Sequence, residues 1–275
     1  MNIVLKMSAA DIARLVKTFQ AWAQPSANPY TQFLAKPQGC VITVYTSGKV
    51  MFQGEQAETY ATKFGYQVTS TTPVQQTNII GTDEVGNGSY FGGLAVVATY
   101  LSEADLPLIK KLGVDDSKKL TDVKIRQIAP ILKEKIQHQA LLLSPSKYNE
   151  VIKSGYNAVS VKVALHNQAI FLLEQALSTV PDHIIIDAFT TEKNYTKYLK
   201  KEKNQTKGQI TLRQKAESQF YAVAVSSVIA REMFLNNLED LSQDVQLTLP
   251  SGAGHKSDVV AAQIIQQYGE ATLSQ

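Results

Sequence analysis

The chain has 275 residues, of which 44% are hydrophobic and 19% are charged, and its formal net charge is +3. This composition is typical of a globular protein built as one large domain, or as a small domain joined to a larger one. Cys40 is the single cysteine, which excludes an internal disulfide framework and a cysteine-based zinc site and indicates a reducing compartment. With no apolar run near the roughly 18–20 residues of a membrane span and no signal-peptide pattern, we expect a cytoplasmic protein.

The first part of the chain carries the surplus charge. Residues 1–65 contain six basic and three acidic side chains, so the rest of the sequence is balanced. Short apolar runs there predict strands, Ser47-Gly48-Lys49 predicts a hairpin turn, and an apolar stripe at helical spacing follows a Ser8 cap. We expect a small α+β domain with two helices on one face of its sheet. The predicted elements are strands at 2–7, 41–46 and 50–53 and helices at 12–22 and 55–64.

An uncharged stretch rich in Thr, Gln and Ser follows at residues 66–78 and has the composition of an exposed linker. We therefore predict a small domain at residues 1–65 and a larger domain at residues 79–275. The larger part alternates β-branched runs with longer helical patterns, which indicates an α/β domain around a mixed sheet flanked by helices. Its predicted elements are strands at 79–81, 94–101, 140–143, 184–186 and 209–212 and helices at 123–136, 158–177 and 218–238.

Four acidic residues end or follow apolar runs in the larger part. Asp83 and Glu84 follow the first strand, Asp187 follows an isoleucine run, and Glu217 opens the last predicted helix. A carboxylate directly after a buried strand lies at the end of the sheet, where open α/β sheets build their sites. Read singly, each acid also fits an ordinary turn, strand end or helix start. The sequence alone does not show that the three ends converge.

If the acids do converge, their repulsion requires a counter-ion. Like charges about 4 Å apart repel by about 1 kcal/mol in water and about 4 kcal/mol at an effective dielectric near 20. Mg²⁺ removes this repulsion with few carboxylates and keeps positions for water and phosphate oxygens. Two such ions, about 3.5–4 Å apart, support phosphodiester hydrolysis. Gly86 and Gly88, directly after the first acids, would let a phosphodiester backbone approach closely, so the pattern predicts metal-assisted phosphoryl chemistry.

Five motifs follow one another along the chain, and three of them contain the four acids: Asp83-Glu84-Val85-Gly86-Asn87-Gly88, Asp116-Ser117-Lys118-Lys119-Leu120, His166-Asn167-Gln168-Ala169, Ile185-Ile186-Asp187, and Lys215-Ala216-Glu217-Ser218, which leads to Ser226-Ser227-Val228-Ile229-Ala230-Arg231. In content and order they resemble the type 2 ribonuclease H family, and within it the bacterial ribonuclease HIII subgroup. The fourth acid is glutamate in that subgroup and aspartate in ribonuclease HII enzymes, so Glu217 selects the subgroup. Members of the subgroup also carry a small amino-terminal domain that resembles the TATA-binding protein fold.

The resemblance implies a ribonuclease H-like catalytic domain that cleaves the RNA strand of RNA/DNA hybrids with Mg²⁺ or Mn²⁺ and leaves 5′-phosphate and 3′-hydroxyl ends. It implies that the catalytic, metal-binding residues are Asp83, Glu84, Asp187 and Glu217. The partner expected from it is the hybrid, with no membrane and no obligatory protein partner, and we expect a monomer by default.

Substrate contacts are also implied by the resemblance. Gly86, Asn87 and Gly88 would lie against the ribose 2′-hydroxyls, the groups that distinguish RNA from DNA, and Lys118 would approach a phosphate near the cut. In the small domain, Lys36 and Lys49 with aromatics on an exposed sheet face are expected to hold the hybrid backbone; the candidate aromatics are Tyr30, Phe33 and Tyr45. Deleting residues 1–69 should then weaken hybrid binding and flatten its salt dependence.

Several alternatives stay open or fail at this point. Asn87 stands where the second subgroup has arginine, so cleavage at single embedded ribonucleotides remains a rival to cleavage of longer hybrids. A non-catalytic nucleic-acid-binding protein is disfavoured because all four acids are present, and a nucleotide-triphosphate site fails because Gly48-Lys49 lacks the preceding glycine spacing. For His166, inside an apolar helix, a structural hydrogen bond is expected. His255 either contacts substrate or caps the helix after it.

Overall fold

The computed structural model describes residues 2–66, 75–114 and 120–274. The chain divides into two compact units, Met1–Thr72 and Pro73–Gln275. Lys118 and residues 67–74 of the predicted linker lie outside the described residues. Within these ranges, no helix has the length and apolar character needed to cross a membrane.

The smaller unit is an antiparallel sheet with the strand order β1-β4-β3-β2, covered by two helices. The first helix begins as its sequence predicts, because the Ser8 hydroxyl accepts a hydrogen bond from the Asp11 backbone N–H. The unit is therefore an α+β domain, whereas its likeness to the TATA-binding protein fold stays a prediction. Its elements are β1 (Asn2–Lys6), α1 (Ala9–Phe19), β2 (Thr31–Ala35), β3 (Val41–Tyr45), β4 (Lys49–Gln53) and α2 (Ala57–Thr62).

Side chains alternate across this small sheet, so one face forms the core with the helices, and the opposite face, here named the open face, carries exposed side chains such as Val4. Val50 is buried in the core, which places its neighbour Lys49 on the open face beside its cross-strand partner Lys6. Lys36 and Lys49 are both exposed, as expected of residues that contact a ligand at the surface. The expectation for Phe33 is wrong, because this ring packs against the core cluster instead of the open face.

The larger unit is built on a five-stranded mixed sheet with the order β7-β6-β5-β8-β9. The central strand β5 pairs antiparallel with β6 and parallel with β8, which confirms the predicted α/β class with a mixed sheet. The strands are β5 (Ile79–Val85), β6 (Leu94–Leu101), β7 (His138–Leu143), β8 (His183–Asp187) and β9 (Ile210–Arg213).

Helices cover both faces of this sheet. Ile79 and Ile185 pack with α4, α8 and α9 on one side, here named the α8 face. Ile80 and Ile186 pack with α5, α6 and α7 on the other side, the α6 face. The helices are α3 (Leu106–Leu112), α4 (Asp122–Lys135), α5 (Pro145–Lys153), α6 (Ala158–Ala176), α7 (Glu192–Leu199), α8 (Tyr221–Val245) and α9 (His255–Tyr268).

Helix α8 is fixed against the central strand at a glycine. A Cβ atom on Gly81 would lie 2.3 Å from the backbone nitrogen of Val223, so only glycine admits the helix this closely. The Ser226 hydroxyl donates to the Gly81 carbonyl at 2.9 Å. The start of α8 is also held by Gln76, whose side-chain oxygen accepts from the Tyr221 backbone N–H at 2.9 Å. These contacts set the position of α8 beside the end of β5.

Candidate active site

The parallel pairing of β5 and β8 brings two of the predicted acids to the same end of the sheet. The last register pair of these strands is Thr82 with Ile186. Asp83 and Asp187 come next on their strands, and neighbouring strands lie about 4.8 Å apart. Alternation from Ile79 and Ile185 places both carboxylates on the α8 face.

A short turn adds the fourth predicted acid to this pair. Glu217 lies in a 3₁₀ turn, Ala216–Ser218, before α8 begins, so it precedes the helix that it was expected to open. The Ala216 backbone N–H donates to Asp187 Oδ1 at 2.9 Å, which ties this turn to the end of β8. Glu217 and Asp83 line the same groove, with a volume of about 360 Å³. The structure thus gathers three strand and turn ends into one site.

The electrostatics of the α8 face are unfavourable to the acids as they stand. Burial, followed by the charge of Glu84, raises the pKa of Asp83 to about 8, although a hydrogen bond with Ser227 opposes the shift. Burial also raises the pKa of Asp187, and the charges of Glu217 and Glu84 add to this effect while the Ala216 N–H opposes it. The charges of neighbouring carboxylates therefore add to burial in raising these pKa values, and a cation bound between the carboxylates would be strongly favoured.

Glu84 lies on the opposite side of the strand and has a different environment. Both of its oxygens bind side chains of α6: Oε1 accepts from Lys162 Nζ at 3.2 Å, and Oε2 contacts His166 Nε2 at 2.9 Å. Burial alone would raise the pKa of Glu84, but the His166 hydrogen bond and the charges of His166 and Lys162 outweigh burial and lower it. This carboxylate is held in its charged form by the protein itself.

His166 makes the structural hydrogen bonds expected of it. Its Nδ1 lies 2.7 Å from the Thr82 hydroxyl, and a proton on Nε2 lets that nitrogen donate to Glu84 Oε2 at 2.9 Å. The ring is fully buried. His166 therefore orients Glu84 from the α6 face, which is opposite to the face that carries Asp83 and Asp187.

The donor set fits divalent metal ions in its chemistry. Hard cations such as Mg²⁺ and Mn²⁺ prefer carboxylate oxygens, and such a cation would offset the charge of Glu84, which adds to burial in raising the pKa of Asp83. In the described ranges, no group of three or more His, Cys, Asp or Glu side chains is arranged to hold a metal ion. The pairing of Glu84 with Lys162 and His166 is consistent with that finding, because it engages one of the four acids on the α6 side.

The glycine-rich segment after the acids lines a second groove of about 390 Å³, together with Glu84. Gly86 has φ +109°, and a Cβ there would lie 2.2 Å from the Gly93 carbonyl oxygen, so the turn requires glycine. Asn87 and Gly88 are exposed, and no atom lies within 4 Å of a Cβ built on Gly88. The backbone of this segment is thus accessible, as close contact with a ribose requires.

Arg231 is a candidate functional residue to which the sequence assigned no role. It lines both the groove of Asp83 and the groove of Gly86–Gly88. Its Nε and Nη2 bind the two oxygens of Asp122 at 3.0 and 3.1 Å, which fixes the guanidinium at the edge of the grooves. The available signal was its place at the end of the last family motif, Ser226-Ser227-Val228-Ile229-Ala230-Arg231.

His255 is the first residue of α9, and its side chain is exposed. The residue at the N-cap position is Gly254, so the cap has no side-chain hydrogen bond. The loop before the helix is tied to the glycine-rich segment, since the Gly252 N–H donates to the Ser89 hydroxyl at 3.0 Å. Of the two roles considered for His255, side-chain capping is therefore wrong.

Comparisons with known proteins agree with this architecture. A family model described as "Ribonuclease HII" matches residues 80–275, and one described as a domain of unknown function (DUF3378) matches residues 2–77. A ribonuclease HIII of Lactococcus lactis subsp. lactis (strain IL1403) is 57% identical over 275 residues, which cover 100% of this chain and 94% of that protein. A ribonuclease HIII of Streptococcus pneumoniae serotype 19F (strain G54) is 58% identical over 273 residues, covering 99% of this chain and 93% of that protein.

A solved structure shows the same likeness in three dimensions. The crystal structure of Bst-RNase HIII in complex with Mn²⁺ superposes with a TM-score of 0.72 at 36% identity, covering 100% of this chain and 94% of that one. The extent of these matches spans both units, and the identity is far above the level at which only the fold is shared. The chain therefore belongs to the type 2 ribonuclease H family, and within it to the ribonuclease HIII subgroup.

Proposed function

We propose that Asp83, Glu84, Asp187 and Glu217 are the residues with which this ribonuclease HIII hydrolyses the RNA strand of RNA/DNA hybrids, leaving 5′-phosphate and 3′-hydroxyl ends. The observation that carries the proposal is geometric: β5 and β8 end side by side, Asp83 and Glu217 line one groove, and the turn of Glu217 is hydrogen-bonded to Asp187. The cofactor is Mg²⁺ or Mn²⁺, bound as a pair of ions that activates water and stabilises the leaving oxygen.

The three carboxylates on the α8 face would contribute oxygen ligands from three separate chain segments. Asp83 lies on β5 beside Ser227, and Asp187 accepts a hydrogen bond from the Ala216 N–H. Glu217 lies in the turn that precedes α8. Because each belongs to a different element, a metal ion bound by all three would link β5, β8 and the turn before α8. Glu84 would contribute from the α6 side of β5.

Recognition of RNA would use the accessible backbone after the acids. The exposed Asn87 and Gly88 lie beside Glu84 in the second groove, so a ribose placed there would bring its 2′-hydroxyl to the glycine-rich segment and its phosphate to the metal site. Arg231, which lines both grooves, is positioned to donate hydrogen bonds to a phosphate oxygen between them. Lys118 remains proposed for a nearby phosphate on the basis of its motif.

Further proposals concern the whole chain. We propose a substrate-binding small domain at residues 1–65, a linker at 66–78 and a catalytic domain at 79–275. Lys36 and Lys49, both exposed, would contact the hybrid backbone through phosphates, which add affinity without sequence information. A monomer in the cytoplasm with no obligatory protein partner is the arrangement that we propose for the active protein.

The test is cleavage of an end-labelled RNA/DNA hybrid beside RNA/RNA and DNA/DNA duplexes, with Mg²⁺, Mn²⁺ or a chelator. We expect metal-dependent cutting of the hybrid alone, reduced about 10³-fold or more in Asp187→Asn because one metal ligand is lost. Asp240→Asn is the matched control, since this aspartate is exposed on α8 and outside both grooves. Tight hybrid binding without cutting under every metal condition would contradict the proposal and favour a binding protein.

The choice between long hybrids and single ribonucleotides needs a second substrate. Asn87, in the position where ribonuclease HII enzymes have arginine, lies exposed in the second groove. We propose that this enzyme prefers runs of ribonucleotides, and a duplex with one embedded ribonucleotide measures the preference directly. Equal or faster cleavage of that duplex would show that the enzyme acts like the second subgroup.

A further inference from the structure

Glu84 is paired with a lysine that is almost completely buried. Lys162 is only 5% exposed to solvent, and its Nζ lies 3.2 Å from Glu84 Oε1. Lysine is almost never fully buried unless it is paired, because removing an ammonium from water is costly. An interior lysine beside a proposed metal ligand therefore requires an explanation in terms of that ligand.

The pair is part of a cluster that joins α6 to the ends of both central strands. Lys162 and His166 are four residues apart on α6, so they share one helix face and reach the two oxygens of Glu84 together. The Phe189 ring covers them: Lys162 Nζ is 4.4 Å from its centroid, and the His166 ring stacks on it at 5.0 Å. Because Phe189 is two residues after Asp187, the cluster contacts the segment that continues from β8.

These contacts give Glu84 a resident cation. We infer that Lys162 is a positioning residue whose ammonium shares the Glu84 carboxylate with the divalent cations and thereby limits how tightly this end of the sheet binds them. The inference rests on the proposed role of Glu84 as a metal ligand. It differs from a purely structural role, which would stabilise the fold without any effect on metal affinity.

Lys162 acts on the Glu84 carboxylate through its positive charge, whereas the orientation of the carboxylate also depends on His166. A lysine ammonium within a few ångströms of a metal site repels the metal ion that binds there, and this repulsion is large in a buried environment. Removing that charge leaves His166 in place on the other oxygen, so the orientation of Glu84 is retained. The loss of repulsion should therefore exceed the loss of positioning, and metal binding should become tighter.

The test is calorimetric titration of MnCl₂ into the full chain without nucleic acid, in wild type and in Lys162→Met. We expect Lys162→Met to bind Mn²⁺ about tenfold more tightly, because one unit charge near the site is removed. Lys162→Arg keeps the charge and should bind Mn²⁺ like the wild type. Lys147→Met is the matched control, since Lys147 pairs with Glu150 at the exposed surface of α5.

Two further variants separate the possible failures. If Lys162→Met does not fold, as judged by circular dichroism, Lys162→Gln replaces it, because an amide retains a hydrogen-bond donor without the charge. Unchanged or weaker Mn²⁺ binding in the folded, uncharged variant overturns the inference. Glu84→Gln tests the foundation: weaker Mn²⁺ binding in this variant supports the metal role of Glu84 even if the Lys162 result is negative. Unchanged binding in Glu84→Gln overturns both proposals.

Discussion

Asp83 and Glu84 are adjacent on β5, but they face opposite sides of the sheet and opposite electrostatic environments. On the α8 face, Asp83 lies with Asp187 and Glu217, and burial followed by the charge of Glu84 raises its pKa to about 8. On the α6 face, Glu84 binds Lys162 and His166, and its pKa is lowered. One face thus accumulates charge that an ion must neutralise, and the other neutralises its charge with its own side chains.

The difference shows how a strand end can prepare a metal site without becoming unstable. Four unneutralised carboxylates together would repel one another strongly. Because side chains alternate along β5, Glu84 points to the face where Lys162 of α6 supplies a positive charge. The other three acids belong to three separate elements. If this is correct, substitutions on the two faces should change stability in opposite directions when metal is removed.

The largest effect is expected for Glu84→Gln in the presence of a chelator. Loss of the carboxylate leaves the buried Lys162 without its counter-charge, which should destabilise the protein by about 3 kcal/mol. Urea unfolding measures the change. Glu150→Gln removes the exposed partner of Lys147 and should cost less than about 0.5 kcal/mol. Equal effects of the two substitutions would show that the Glu84 pair contributes no more than a surface pair.

The pH dependence of chelated wild type should follow the α8 face. Because the pKa of Asp83 is raised from 3.8 to about 8, the folded state holds a proton that the unfolded state has lost within this range. The free energy of unfolding should therefore fall as pH rises from about 5 to about 8, by up to about 1.4 kcal/mol per pH unit for this one proton. Asp187, also raised, acts in the same direction, whereas the lowered pKa of Glu84 affects stability only at more acidic pH. Rising stability over that window would contradict the assignment.

Asp83→Asn should reverse the expected result of Glu84→Gln. Near pH 8 with chelator, the amide removes a buried carboxylate that its neighbours repel, so the free energy of unfolding should increase by about 1–2 kcal/mol. The same variant should lose hybrid cleavage and the stabilisation that Mn²⁺ gives to the wild type. Thermal unfolding with and without Mn²⁺ measures both. A destabilised Asp83→Asn protein would mean that hydrogen bonding with Ser227 outweighs the repulsion.

The sequence predicted the five strands of the larger unit and the positions of the acids because both depend on local pattern. The isoleucine run before Asp187 and the apolar start of β5 identify buried strands, and the family motifs identify the acids at their ends. The fold class and family that followed from them are confirmed. Four helices of the larger unit were not predicted: α5 and α7 are short and largely polar, and α3 and α9 were likewise missed.

Features that depend on distant contacts were beyond the sequence. Strand β2 was missed because its pairing shifts register between Thr31 and Phe33, which disturbs the alternation that marks a strand. The pairing of Glu84 with Lys162 joins residues 78 positions apart and depends on which face of α6 meets β5. Lys162 reads in the sequence as one charge within an apolar helix, and only packing shows that it is buried.

Arg231 connects the two grooves, so its loss should affect substrate binding more than stability. Arg231→Ala should weaken hybrid binding about tenfold and reduce the salt slope by roughly 0.7–0.9, as expected for one lost phosphate contact. Binding measured at several salt concentrations gives both values. Arg126→Ala is the control, because Arg126 pairs with Glu239 outside the grooves. An unchanged salt slope of hybrid binding in Arg231→Ala would show that the guanidinium pairs with Asp122 and contacts no phosphate.

The smallest effect on stability and on catalysis is expected in the small domain, where Lys6 and Lys49 are exposed on one face of the sheet instead of buried like Lys162. Lys6 and Lys49 are cross-strand neighbours there, and both are exposed. Exchanging both for glutamine in the full chain should leave stability and the metal dependence of cleavage unchanged, because neither residue has a buried partner to lose. If both contact phosphates, the salt slope of hybrid binding should decrease by roughly 1.4–1.8. An unchanged slope, with Arg231→Ala still effective, would restrict hybrid binding to the catalytic domain, since exposed lysines that contact no phosphate release no counter-ions.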